Sequence, residues 1–251
     1  GTQKFPPDYN YSNELDRFRW SGYIWQEADL YEEEIMSILD TMIEMGTVWD
    51  PTMVVYEGHR DYQRVKSLPW HEKYTVQQLW EAWSPQPGRH ATHFFEWKTS
   101  DEIAWKRKYE IWMKYIRYFF HNGGTLTAGS DTAFIYSLFG FSLIRELELF
   151  QEAGIHPIDI IKIATTNAHN VLGNKELSMG IRKGSPADLA IVDGNPLDDF
   201  KVLYGTGVSR FSEDGKTVSN RGGVTWTIKE GIVFECEQLL KDVADYVDSQ
   251  R

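Results

Sequence analysis

The chain has 251 residues, a formal net charge of −11 and 41% hydrophobic residues. That acidity argues against nucleic acid and anionic membrane as partners. The single Cys236 excludes an internal disulfide framework and a multi-cysteine zinc knuckle, and no apolar run of about 18 residues is present to span a membrane.

In chain order, residues 1–20 read as an irregular, turn-rich surface segment, with Pro6-Pro7-Asp8 and Tyr9-Asn10-Tyr11 as its punctuation. Residues 21–26 read as a short strand. Asp29-Leu30-Tyr31-Glu32 is similar to a capping box, and Ile35, Ile38, Leu39, Met42 and Met45 follow at helical spacing up to Gly46. Thr47 to Tyr56 reads as a second strand, with a bulge or an end expected at Asp50-Pro51. Residues 57–100 form an insertion rich in Trp, His and Pro, with a helix expected over 75–83. A connection this long is a candidate lid, and its tryptophans could equally pack it onto the body or form an oligomer contact.

Thr99-Ser100-Asp101-Glu102 opens a long helix to about Asn122, with Trp105, Tyr109, Trp112, Ile116 and Phe119 on one apolar face. Gly123 and Gly124 stop it. Thr125 to Ala128 then reads as a buried strand with Asp131 at its C-terminal tip, where Asp131 is either a functional acid or the cap of the next helix. That helix is expected over 137–153 and another over 158–165, with His156 as its cap. After Gly173 the character changes. Strands are expected at 187–193, 224–228 and 231–234, the last two as a hairpin, and an amphipathic helix at 235–248 closes the chain. The division is therefore 1–173 and 174–251.

Strands alternating with long helices suggest an α/β chain with parallel connections. The strands are too few to close a barrel, so the chain is expected to be the C-terminal part of a larger fold. It opens at Gly1-Thr2-Gln3 with no Met and no signal peptide, so a natural start further upstream is expected. A cytoplasmic location is favoured, or a periplasmic or secreted one given an upstream signal.

Four stretches resemble the metal-dependent amidohydrolase superfamily, in its imidazolonepropionase- and Xaa-Pro-dipeptidase-like branch. They are Val48-Trp49-Asp50-Pro51-Thr52-Met53, Gly129-Ser130-Asp131-Thr132, the run Ala164 to Gly173 (ATTNAHNVLG), and the run Gly180 to Leu197 (GIRKGSPADLAIVDGNPL). Each is weak alone; their order and spacing carry the resemblance. It implies the end of a (β/α)8 TIM-like barrel plus strands of a small β-sandwich subdomain. It also implies a hydrolase of amide or other C–N bonds in a small molecule or short peptide. The implied cofactor is a divalent metal, zinc as one or two ions, with Asp131 as both metal ligand and general base. The remaining ligands, His-x-His among them, would come from the rest of the barrel, on the same or another chain. The family's late barrel histidine would fall near Gln26-Glu27-Ala28, where none stands, and Glu27 is the available substitute. The alternatives are a degenerate, non-catalytic binding protein, or a subunit that completes a partner's metal site.

His59, just beyond the strand ending at Tyr56, and Tyr56 itself are the candidate substrate contacts. His71, His90 and His93 are expected to line the insertion or to be solvated. A homo-oligomer is compatible with all of this.

Overall fold

The computed structural model describes residues 6–84, 86–87, 96–173 and 180–251. His90 and His93 lie outside the described residues, as does the start of the expected second domain. The chain is a mixed helix and strand protein, consistent with an α/β class.

The first helix, α1 (Glu14–Trp25), occupies the stretch read as loop and strand. Asn13 caps it by accepting from the Leu15 N–H at 3.0 Å. Phe18, Gly22 and Trp25 share one face at helical spacing, and that face meets α7 (Thr99–His121). Tertiary contact overrides the β-prone composition of Tyr23 and Ile24. Helix α2 (Glu32–Glu44) lies where expected and ends at Gly46, whose φ of 68° suits glycine.

Strand β1 is only Val48–Trp49. Pro51 cannot donate to a ladder, Thr52 turns into the left-handed region (φ 48°), and α3 (Met53–Arg60) begins at once. The Glu146 carboxyl group takes the Met53 and Val54 N–H groups at 2.9 and 2.7 Å, fixing that start. The insertion folds as α4 (Tyr62–Lys66), α5 (His71–Tyr74) and α6 (Gln77–Trp83).

The α7 helix buries Trp105, Tyr109, Ile116 and Phe119 as expected, with Trp112 half-buried. Ile111, Met113 and Tyr115 are buried too, so the helix is covered on more than one face. Strand β2 (Thr125–Leu126) pairs parallel to β1, Val48 with Thr125 and Trp49 with Leu126. A two-stranded pair closes no barrel, and the barrel remains an implication of the resemblance.

Helix α8 (Ser142–Glu152) starts later than the pattern suggested, because Asp131, Ala133, Tyr136 and Gly140 all have positive φ. Helix α9 (Pro157–Lys162) has the expected His156 cap, then passes through a π turn at Ile163–Asn167 into α10 (Ala168–Val171). In the later part, β3 (Leu189–Asp193) pairs antiparallel with β6 (Gly223–Lys229), and β6 with β7 (Ile232–Glu235), as the hairpin reading required. A second hairpin, β4 (Val208–Phe211) with β5 (Val218–Arg221), was not legible in the pattern. Helix α11 (Cys236–Ser249) closes the chain against α5 and β6. No helix among the described residues is long and apolar enough to cross a membrane.

Two apolar cores result. One joins α7, α8, α9 and β2. The other gathers the insertion around Phe141 and Tyr204: the Trp70 ring stacks on Phe141 at 5.0 Å, and Trp83, 2% exposed, donates from Nε1 to the Ala133 carbonyl at 3.1 Å. Trp70, Trp80 and Trp83 therefore pack the insertion against the segment after Asp131, whereas Trp97 packs on the first core beside Trp105. His71 is buried among Trp70, Trp80, Trp83 and Tyr136, and its Nε2 lies 3.0 Å from the Val65 carbonyl; it is neither solvated nor at a rim. Burial holds its pKa below the usual histidine range, against the pull of that hydrogen bond.

Candidate active site

The C-terminal ends of β1 and β2 lie side by side, and each carries an acid: Asp50 beyond β1 and Asp131 beyond β2. The two acids are in different states. Asp50 is fully engaged. Its Oδ2 accepts from Thr127 Oγ1 at 3.0 Å, and its Oδ1 accepts from the Gly129 N–H at 3.1 Å and from Thr52 Oγ1 at 3.0 Å. A Cβ on residue 129 would stand 2.8 Å from Asp50 Oδ2, so the bridge requires glycine there. Thr127 also donates its backbone N–H to the Trp49 carbonyl at 3.1 Å, extending the parallel pairing.

From the other side, Asn167 Nδ2 donates to the Leu126 carbonyl at 2.9 Å. The third sequence motif thus acts as a prop for β2. The fourth does similar work further on, where Asp188 accepts from Lys229 Nζ at 2.8 Å and the Glu230 N–H at 2.7 Å to hold the β6–β7 turn.

Both acids are exposed, but the Asp131 carboxylate accepts no hydrogen bond and makes no ion pair among the described residues. Its φ of 41° is a strained position for a residue with a side chain, and Ala133 and Tyr136 share the strain at 83° and 56°. The capping alternative fails, because the next helix begins only at Ser142. Around it, Ser130 Oγ and Thr132 Oγ1 are 2.6 Å apart, and Ser137 Oγ donates to the Ser130 carbonyl at 3.2 Å.

The other two sequence candidates sit elsewhere. Tyr56 and His59 belong to α3, not to a loop at a strand's end. His59 is 1% exposed, with its ring 4.3 Å from Trp105, 4.8 Å from Phe18 and 5.6 Å from Trp97. Tyr56 is half-buried, stacked on Trp105 at 6.1 Å and edge-on to Trp112 at 5.8 Å. The structure brings these two together as aromatic packing between α1, α3 and α7; a substrate could touch His59 only if α3 opened. Glu27 is exposed at the end of α1. Among the described residues, no group of three or more His, Cys, Asp or Glu is arranged to hold a metal ion.

Three groups escaped the sequence reading. Asp50 read only as the place of a bulge or strand end. Glu146 and Glu57 are buried acids. Glu146 is 0% exposed, and burial pushes its carboxyl up to about 8 despite the two N–H groups it accepts from, with Asp50 and Glu57 adding to the rise. Glu57 is surrounded by cations: Arg145 Nε reaches its Oε2 at 3.0 Å and Arg145 Nη2 its Oε1 at 2.6 Å, with Arg64 and Arg60 converging on the same carboxylate. The available signal for Glu146 was its place between Ser142 and Phe150 on one face of α8, where both neighbours are buried.

Among solved structures, the chain is similar to a Xaa-Pro dipeptidase crystallised with methionine in its active site, at 22% identity and a TM-score of 0.48, over 78% of this chain and 36% of that one. It is also similar to an uncharacterized protein at 18% identity and a TM-score of 0.48, over 79% of this chain and 38% of that one. The chain thus spans little more than a third of the length of either structure. No protein-family model and no curated protein matches it.

Proposed function

We propose that this chain belongs to a hydrolase of amide or other C–N bonds in a small molecule or short peptide, with Asp131 as the general base. Asp131 takes a proton from the attacking water as the oxygen adds to the carbonyl carbon, then returns it to the nitrogen as the C–N bond breaks. The observation that carries this reading is the contrast between the two neighbouring acids. Asp50 is engaged by three donors and serves as a brace; Asp131, equally exposed, is free of partners among the described residues and held at a strained φ. The order and spacing of the four sequence motifs support it. The described residues alone do not complete the divalent-metal site that the resemblance implies; Asp131 is the one ligand among them that the motif identifies.

Asp131→Asn keeps the shape and removes the charge and the proton acceptor. Assayed on a panel of dipeptides and N-acyl amino acids, kcat/KM is expected to fall by at least about 10²-fold. Circular dichroism is expected to stay unchanged. Turnover close to the unsubstituted protein's would remove Asp131 from the chemistry.

A further inference from the structure

The insertion, α8, the β6–β7 hairpin and α11 line an open cleft of about 1200 Å³. Asp50 and Asp131 do not line it. Its volume exceeds the roughly 300–1,000 Å³ of a typical small-molecule pocket, so it has room for an extended ligand. Most charges in its wall are already paired. Arg145 takes Glu148 at 2.6 Å, Lys241 takes Asp245 at 3.8 Å, Arg251 takes Asp248 at 3.6 Å, and Arg64 pairs with the buried Glu57. Four lining charges have no ion-pair partner among the described residues: Lys73, Lys201, Glu235 and Glu237.

These four are sorted by sign and by element. Lys73 follows Trp70 by three residues at the start of α5, and Lys201 precedes Tyr204 by three on the 3₁₀ turn Phe200–Leu203, so each lysine shares a side with an aromatic ring. Those two rings are 5.0 Å apart. The acids belong to β7 and α11. Glu235 stands opposite Trp226 in the β6–β7 register, and Glu237 lies in the first turn of α11. Two carboxylates outweigh the roughly half positive charge of that helix end. The Trp226 indole, 44% exposed, lines the cleft and stacks on no other ring among the described residues. Beyond the far end of α11, Arg251 donates to the Glu72 carbonyl, beside Lys73. The 14 residues of α11 extend about 21 Å, so the helix separates the acids from Lys73. With side chains reaching in from both ends, an extended peptide of about four residues, about 13–14 Å long, spans the gap.

We propose that this cleft binds short peptides with free ends. The N-terminal ammonium sits against the Trp226 face and the Glu235 and Glu237 carboxylates, and the C-terminal carboxylate goes to Lys73 and Lys201. Asn220, whose Oδ1 already accepts from Ser209 Oγ at 2.8 Å, keeps Nδ2 as a donor for a peptide carbonyl. Leu68 and Leu240 give the peptide side chains an apolar wall. Binding here is independent of whether Asp131 acts as a base.

The test is calorimetric titration of the whole chain with Ala-Leu-Leu-Ala, its N-acetylated form and its C-amidated form. About pH 6.5 and low salt keep the peptide amine protonated and the screening weak. The free peptide is expected to bind at least about threefold more tightly than either blocked form. Glu235→Gln combined with Glu237→Gln is expected to abolish the preference for a free N-terminus and keep that for a free C-terminus. Lys73→Gln combined with Lys201→Gln is expected to do the reverse. All four side chains are exposed, and the preference each double variant retains is its own folding control. Trp226→Leu is expected to weaken the free peptide at least about threefold and the acetylated one less. Equal affinity for free and blocked peptides, loss of both preferences in either double variant, or no binding heat up to about 5 mM peptide overturns the proposal.

Discussion

Replacing Glu146 with glutamine asks whether a proton sits on this buried carboxyl at neutral pH. In the folded protein the group titrates near 8, against 4.5 for a free side chain, with burial as the leading cause. The native state therefore holds a proton that the unfolded chain releases above about pH 4.5. Its contribution to stability is present in full below that pH and is lost as pH rises towards 8. At about 1.4 kcal/mol per pKa unit the ceiling is near 5 kcal/mol, and an effective interior dielectric near 20 brings the expected loss to roughly 2–3 kcal/mol. Glutamine does not titrate. Its carbonyl oxygen can still accept from the Val54 N–H, but its amide nitrogen would face the Met53 N–H, at a cost of about 1–3 kcal/mol. Urea unfolding, followed by tryptophan fluorescence at constant salt, would be compared for the two proteins at about pH 5, 6.5 and 8.5. Glu146→Gln is expected to be the less stable protein at the acid end, with the gap narrowing or reversing at the alkaline end. Titrating groups that do not interact with Glu146 cancel in the difference. Parallel stability curves across the range would refute the reasoning, because they would mean that the carboxyl keeps one protonation state throughout.

Two further substitutions test the frame around Asp131. Gly129→Ala would put a methyl group 2.8 Å from Asp50 Oδ2 and displace that carboxylate from the Gly129 N–H, so a loss of about 1–3 kcal/mol is expected in a thermal melt; an unchanged Tm would show that the bridge contributes nothing. Trp83→Ala removes a side chain that is 2% exposed and leaves the Ala133 carbonyl unpaired, with an expected cost of about 3–5 kcal/mol by urea unfolding; a loss under about 1 kcal/mol would show that the insertion does not brace this segment.

Much of the helical layout was legible because long amphipathic segments announce themselves. The α7 face and its glycine stop, α2, and the β6–β7 hairpin all appear where periodicity and turn residues place them. The failures have particular causes. Asn13 and the Phe18, Gly22, Trp25 face make α1 a helix, yet Gly22 looks like a breaker until Trp105 is seen pressed against it. Val54, Val55 and Tyr56 carry β propensity, yet a carboxyl group distant in sequence captures the two N–H groups that start a helix there. For the candidate site, Asp131 was visible as an acid at a strand's tip. His59 was a weaker candidate, chosen for its position just beyond the expected strand, and it is packed among four aromatic rings.

By itself, the sequence determined which segments could be amphipathic helices, where glycine and proline must end them, and that an acid follows the second short strand. These are local properties, set by side-chain period and backbone freedom within a few residues. Tertiary structure alone decided which charged groups are buried. Glu146 and Glu57 are ordinary surface residues by type, and each is buried by an element far away in the chain: α3 for Glu146, and Arg145 of α8 for Glu57. Desolvation is a property of the assembled surroundings, so the raised pKa of Glu146 and the contrast between an occupied Asp50 and an unoccupied Asp131 come into being only when those elements meet.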